Sequence, residues 1–176
     1  MVNVSCEALT FDYHIPSKAE CKICHQVAIT DSNQSSKIMP IGLKAHVLNR
    51  NITANDNQQN QLSVWQQQGI LNGLPELGSI SKSFAINDDS ADLTARAKGY
   101  LDINCAHCHR EEGPASTSGL FLSYEQTDPL KLGINKTPVA AGNGAGSHQF
   151  DIVPGKADES ILVHRMNSTA VGVAMP

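Results

Sequence analysis

Aromatic residues are scarce: one Trp, three Tyr and four Phe in 176 residues, 5% of the chain. Such a set is poor material for a core made of protein alone, because aromatic side chains carry the largest apolar areas. Long apolar runs are missing as well, so the sequence offers no segment that reads as a membrane-spanning helix. No stripe of Lys and Arg occurs, and the formal charge is -4 with His neutral. Both features argue against nucleic acid as a partner. The acidity suits a basic protein partner, although net charge alone defines none. The first residues, Met1 to Leu9, lack the basic start and apolar centre of a signal peptide. The length fits one ordinary domain or two small ones.

The five cysteines are few but not scattered. Four fall into Cys21-Lys22-Ile23-Cys24-His25 and Cys105-Ala106-His107-Cys108-His109. Both stretches read C-x-x-C-H, the attachment signature of c-type haem. The order has a chemical reason. Two thiols add across the two vinyl groups of the porphyrin, and a spacing of three residues presents both sulfurs to one edge. The His that follows is then placed to ligate the iron. That role falls to His25 and His109, whereas His107 lies between its cysteines. Two covalent haems, bound through Cys21, Cys24, Cys105 and Cys108, are therefore expected, and their apolar faces would make up for the missing aromatics. Two plainer readings compete. The four paired cysteines could hold one structural zinc, or each pair could be a redox dithiol. Neither explains a His directly after both pairs. Cys6 is left over, as a free thiol or part of a partner contact. Covalent haem requires export, so a secretion signal removed from this chain and a periplasmic or other exported location are expected.

Read in order, residues 10–15 have some strand character, and Pro16 ends it. Phe11 and Ile15 could touch a haem or simply pack on the surface. Ser17 and Glu20 form a capping box for a helix carrying the first motif. Asp31 to Lys37 reads as polar loop. A helix is expected from about Asn57 to Gln68, with Leu62 and Trp65 on one face. Ser79 to Asp89 reads as a linker, after which Asp88, Asp89 and Ser90 offer caps. Ala91 to Asn104 follows as a helix with Leu93, Ala97, Tyr100 and Leu101 on one stripe, and it runs straight into Cys105. Leu120, Leu122 and Tyr124 alternate as in a short strand. The glycines at 142, 144 and 146 lack the strand and helix of a nucleotide-binding loop and suggest close backbone approach. Glu159 to Met166 reads as a short helix.

The sixth iron ligands are open. Met39 and Met175 each precede a proline, which holds them on restrained loops. For the first haem, His46 and His14 compete with Met39, which lies only thirteen residues beyond His25 in the intervening count. For the second haem, Met166, His148 and His164 compete with Met175.

These features resemble class I c-type cytochromes, in which a helix precedes C-x-x-C-H and a distal Met sits before Pro on a late loop. Residues 91–109 and 172–176 carry the likeness. The stretch Tyr100 to His109, with Val153-Pro154-Gly155, Ser160-Ile161-Leu162 and Arg165-Met166, also resembles a little-described family of bacterial secreted haem-binding proteins, whose members often carry such a module at the end of a larger chain. The resemblance implies a mainly α fold with much loop: two small cytochrome c-like lobes over 10–78 and 91–176, joined by a linker at 79–90. The second lobe would lack its closing helix at Pro176, and the two could share one core. The expected function is electron transfer between redox protein partners, without catalysis. A dihaem peroxidase-like enzyme is the enzymatic alternative, but no acid or base beside a vacant iron position stands out. Glu111 and Glu112 read as exposed loop carboxylates. A structural zinc or interaction module is the third class.

Overall fold

A computed structural model of the chain describes residues 2–6, 9–28, 36–54 and 56–175. The side chains of Cys6 and Phe11, residues 31–35 of the expected polar loop and Pro176 lie outside what it describes. The fold is not mainly α. The structure is 31% helical with 15% strand, its strands in small antiparallel sheets. The expectation of helical cytochrome c-like lobes is therefore corrected to mixed α/β with much loop. Part of the reason is local: the polar segment Asn57–Asn60, which could begin a helix, pairs with Asn51–Ala54 as a strand instead.

The chain forms two compact units, Met1–Ile41 and Gly42–Pro176. The boundary thus falls at residue 41, and the stretch 79–90 lies inside the second unit.

In the first unit, β1 (Val2–Cys6) and β2 (Leu9–Tyr13) pair antiparallel. Helix α1 (Lys18–His25) then carries the whole first motif. Its start is the expected capping box: the Glu20 N–H donates to the Ser17 hydroxyl at 3.3 Å, and the Ser17 N–H donates to the Glu20 carboxylate at 2.7 Å. The Ser17 N–H, then the Ser17 hydroxyl and then His14 hold the Glu20 carboxyl down to about 2. A second hairpin, β3 (Gln26–Ala28) with β4 (Ser36–Ile38), leaves directly from His25. No described residue of this unit is buried. A segment this short rarely holds a stable core without a metal, a disulfide or another binding partner.

The second unit opens with α2 (Ala45–Leu48), the hairpin β5 (Asn51–Ala54) and β6 (Asn57–Asn60), and α3 (Gln61–Gln67). The Asn- and Gln-rich segment expected as the first turn of a helix is strand β6. Asp56 supplies the reason, with φ 61 at the hairpin connection, a left-handed geometry that Asp tolerates. The helix starts only where Asn60 caps it, accepting the Leu62 N–H at 3.0 Å. Leu48, Leu62 and Val64 are buried here, and Trp65 is half-buried.

Helix α4 (Leu93–Asn104) ends where expected but starts two residues after Ala91, and its cap is Asp92 in place of Asp88, Asp89 or Ser90, with the Asp92 carboxylate accepting the Ala95 N–H at 3.0 Å. Its buried face differs from the expected stripe. Leu93 is 68% exposed, and the buried positions are Gly99 and Asp102. A Cβ at Gly99 would overlap the Phe84 carbonyl oxygen, so the segment before the helix crosses it at the one residue without a side chain. Residues 120–124 form no strand. They are held as loop by single bonds such as Phe121 N–H to Lys131 O at 2.8 Å. Helix α5 (Ile161–Met166) closes the unit. Among the described residues only six hydrophobic side chains are buried, Leu48, Leu62, Val64, Ala106, Leu122 and Ile161. That is a small core for so long a chain. No helix among the described residues is long and apolar enough to cross a membrane.

Candidate functional site

The second C-x-x-C-H stands at the end of α4, where Cys105 is the C-cap. The turn that follows is fixed by N–H groups of Cys108 and His109, both donating to the Cys105 carbonyl, at 3.1 and 2.9 Å. Ala106 is buried and pins the turn from below, leaving Cys105, Cys108 and His109 half-buried. The chain then makes an excursion through residues 110–122 that returns to the motif. Ala115 N–H donates to Cys108 O at 3.1 Å, and Leu122 N–H donates to His109 O at 2.9 Å. Gly113 is where the excursion comes closest, since a Cβ there would overlap the Cys108 carbonyl oxygen. Gly113→Ala is expected to push the excursion off the motif and lower stability by about 1–3 kcal/mol. Thermal melts would measure this, and an unchanged Tm would show that the loop yields freely.

The excursion also sets the state of His109. Its Nδ1 lies 3.2 Å from the Ser118 hydroxyl oxygen. That hydroxyl has one proton, and it donates it to the Ala115 carbonyl at 2.6 Å. It accepts the Leu120 N–H at 3.2 Å. Towards His109 it can therefore only accept, so the proton of the neutral ring sits on Nδ1. Nε2 keeps its lone pair, the form in which an imidazole binds a metal. Burial, and next the nearby Arg165 charge, hold His109 below the ordinary imidazole value, which keeps the ring neutral. Burial pushes the Cys105 thiol up. Cys21, Cys24, Cys105 and Cys108 are all thiols, none joined in a disulfide.

Arg165 links this His to the end of the chain. Its Nε donates to Val173 O at 2.9 Å, and its own carbonyl accepts the Met175 N–H at 3.1 Å. The residue whose charge acts on His109 thus also straps down Met175, which is half-buried. Met166 ends α5, half-buried. His148 and His164 lie beside each other, with ring centroids 4.9 Å apart.

His46 is used otherwise. Its Nε2 lies 2.9 Å from Asp102 Oδ2 and its Nδ1 3.4 Å from Glu125 Oε1, while its ring stacks on Tyr124 at 5.3 Å. Both nitrogens face carboxylates, which fits a structural clamp better than an iron ligand. Asp102 also receives Lys44 Nζ at 2.7 Å and the Tyr124 N–H at 3.0 Å. Burial pushes its carboxyl up, but the Lys44 and His46 hydrogen bonds, the Lys44 charge and the Tyr124 N–H outweigh this and hold it below the usual carboxylate range. Asp102 sits one turn before Cys105, so the cluster fixes the helix end that presents the motif.

In the first unit, Cys21 and Cys24 lie three residues apart within α1, on one face, with His25 the helix's last residue and exposed. Met39 is brought beside His25, because its N–H donates to His25 O at 2.7 Å across the hairpin. Opposed residues of such a hairpin stand about 5 Å apart, whereas two ligands on opposite faces of one porphyrin need their backbones well beyond that. In this arrangement Met39 reaches such a position only if the hairpin opens. His14 bonds to Glu20 at 3.0 Å through Nε2.

Ser118, Gly113, Asp102 and Arg165 are functional neighbours that motif spacing did not mark. The small polar run after Pro114 was the available signal for Ser118, since a metal-ligating His needs an acceptor for its other nitrogen. No protein-family model matches the chain, and comparison with curated proteins and with solved structures finds no match.

Proposed function

We propose that the chain is a dihaem c-type cytochrome that carries electrons between redox protein partners in an exported compartment. The proposal rests on the two C-x-x-C-H motifs and not on a class I cytochrome fold. One observation carries it: the Ser118 hydroxyl, which donates to the Ala115 carbonyl, faces His109 Nδ1 as an acceptor, an arrangement that favours the tautomer with a bare Nε2. The donor set fits the group. Two thiols, a neutral imidazole with an oriented second nitrogen, and only six buried hydrophobic side chains among the described residues together suit a site completed by a large apolar ring.

Bound haem would supply a one-electron couple at iron. The chain's own residues supply the rest. Cys105 and Cys108 would hold the porphyrin edge, with Cys21 and Cys24 doing the same at the first motif. His109 and His25 would offer Nε2. Ser118 holds His109 in place, and the Arg165 charge nearby favours the neutral ring. Met175, tied to Arg165, is the favoured sixth ligand of the second iron.

The test is a pyridine haemochrome count with reduced and oxidised visible spectra, on protein exported by a host with haem-attachment machinery. Two covalent haems per chain are expected. The oxidised spectrum should carry the weak long-wavelength band that resemblance to Met-ligated cytochromes implies, and Met175→Ala should remove it. Protein without covalent haem, but with stoichiometric zinc, would overturn the reading in favour of a structural clamp.

A further inference from the structure

Behind α5 lies a second group of ligand-type side chains that the haem reading does not use. We propose that His148 and His164 form a site for a divalent transition-metal ion of the nickel, copper or zinc class, with Asp158 as the acidic group at its rim. The two rings lie 4.9 Å apart, tilted by 51° rather than stacked. Nitrogens on one tetrahedral ion at about 2.0–2.1 Å would stand roughly 3.3 Å from each other, and rings at this separation and tilt need little movement to meet that. His148, His164 and Asp158 line one pocket of about 300 Å³, together with Val163, Asn167 and Ser168. Among the described residues, neither ring takes part in a side-chain hydrogen bond or an ion pair. Imidazole nitrogens suit this class of metal, and the Asp158 carboxylate in the pocket wall adds negative charge.

The Gly-rich loop provides the shape. His148 is set by a turn in which its N–H donates to Ala145 O at 3.0 Å, and His164 rides on α5 with its N–H donating to Ser160 O at 3.0 Å. Gly146 has φ 57, and a Cβ there would come within 3.0 Å of His164 Nε2. Gly144 does the same for the Arg165 guanidinium, at 3.0 Å from Cζ. The loop is thus moulded around two consecutive helix residues, which turns Arg165 towards Val173 and leaves the His164 ring beside His148. This accounts for glycines that match no nucleotide-binding pattern.

The experiment is a Ni2+ titration of the full chain by calorimetry, with histidine-ring NMR signals followed in parallel. The cysteines are to be haem-linked or alkylated beforehand, so that thiols cannot bind the metal. One Ni2+ per chain is expected, with the His148 and His164 ring signals broadening first. His148→Ala and His164→Ala should each weaken binding at least about ten-fold, a scale that changes even outside the ligand shell reach. Asp158→Asn should weaken it less. Binding unchanged in both His variants, or broadening confined to His14 and His25, would overturn the proposal. A changed visible haem spectrum in either His variant would assign that ring to iron, which sinks the separate site while leaving the dihaem reading intact.

Discussion

Asp102→Ala is expected to lower the unfolding free energy of the second unit by about 3–5 kcal/mol, read from denaturant melts of variant and parent. Asp102 is buried, and it accepts from Lys44 Nζ at 2.7 Å, His46 Nε2 at 2.9 Å and the Tyr124 N–H at 3.0 Å. Removing it leaves the Lys44 charge without its carboxylate and a nearly buried imidazole facing a void. The loss exceeds that of a surface pair, worth about 0–1 kcal/mol, because Asp102 and His46 are buried away from water. Asp102→Asn keeps an acceptor of the same shape and should cost less. The pH dependence has a definite sign. The folded carboxyl lies below its ordinary value of 3.8, so its contribution is fully present above that value and is lost as pH falls through the lower folded value. The parent should lose stability in acid below about pH 4, and Asp102→Ala should lose less of it there. A variant within about 1 kcal/mol of the parent would show that the cluster is not the anchor of α4.

The motifs, the Ser17–Glu20 box and the end of α4 were legible because they depend on neighbours in sequence. Ser17 with Glu20 forms its box within one turn, whereas α4 is capped by Asp92 and not by the expected Asp88, Asp89 or Ser90. What was not legible depends on partners far along the chain. His46 read as a possible ligand because an isolated His offers a nitrogen, yet it meets Asp102 56 residues later. Leu93 read as core from its spacing, but a buried Asp102 fed by Lys44 from 58 residues away decided which face of α4 turns inward. The Asn-rich segment before Leu62 satisfied both a cap and a hairpin, and Asp56 in the left-handed region chose the hairpin. The class I resemblance rested on the same local stretches. It captured the helix before Cys105 but carried no information about the strands elsewhere.

His109→Ala separates attachment from ligation, and it is the variant with the largest expected spectral effect. Cys105 and Cys108 remain, so the haemochrome count should stay at two per chain. One of the two haems should lose its protein nitrogen and its low-spin spectrum, and added imidazole should restore part of it. Ser118→Ala is the finer probe. It keeps the ring but removes the acceptor 3.2 Å from Nδ1, the hydrogen bond that makes a ligating imidazole more basic. A more basic imidazole favours the ferric state, so losing the bond should raise the reduction potential of that haem. If the ligand's preference for ferric iron falls by about ten-fold, the lower end for such changes, the rise is about 59 mV for one electron. Ser118→Thr retains the hydroxyl and should restore most of the parent value. A purely structural Ser118 would give a stability loss in Ser118→Ala with both potentials unmoved, and that result would remove the tautomer argument on which the electron-transfer reading stands.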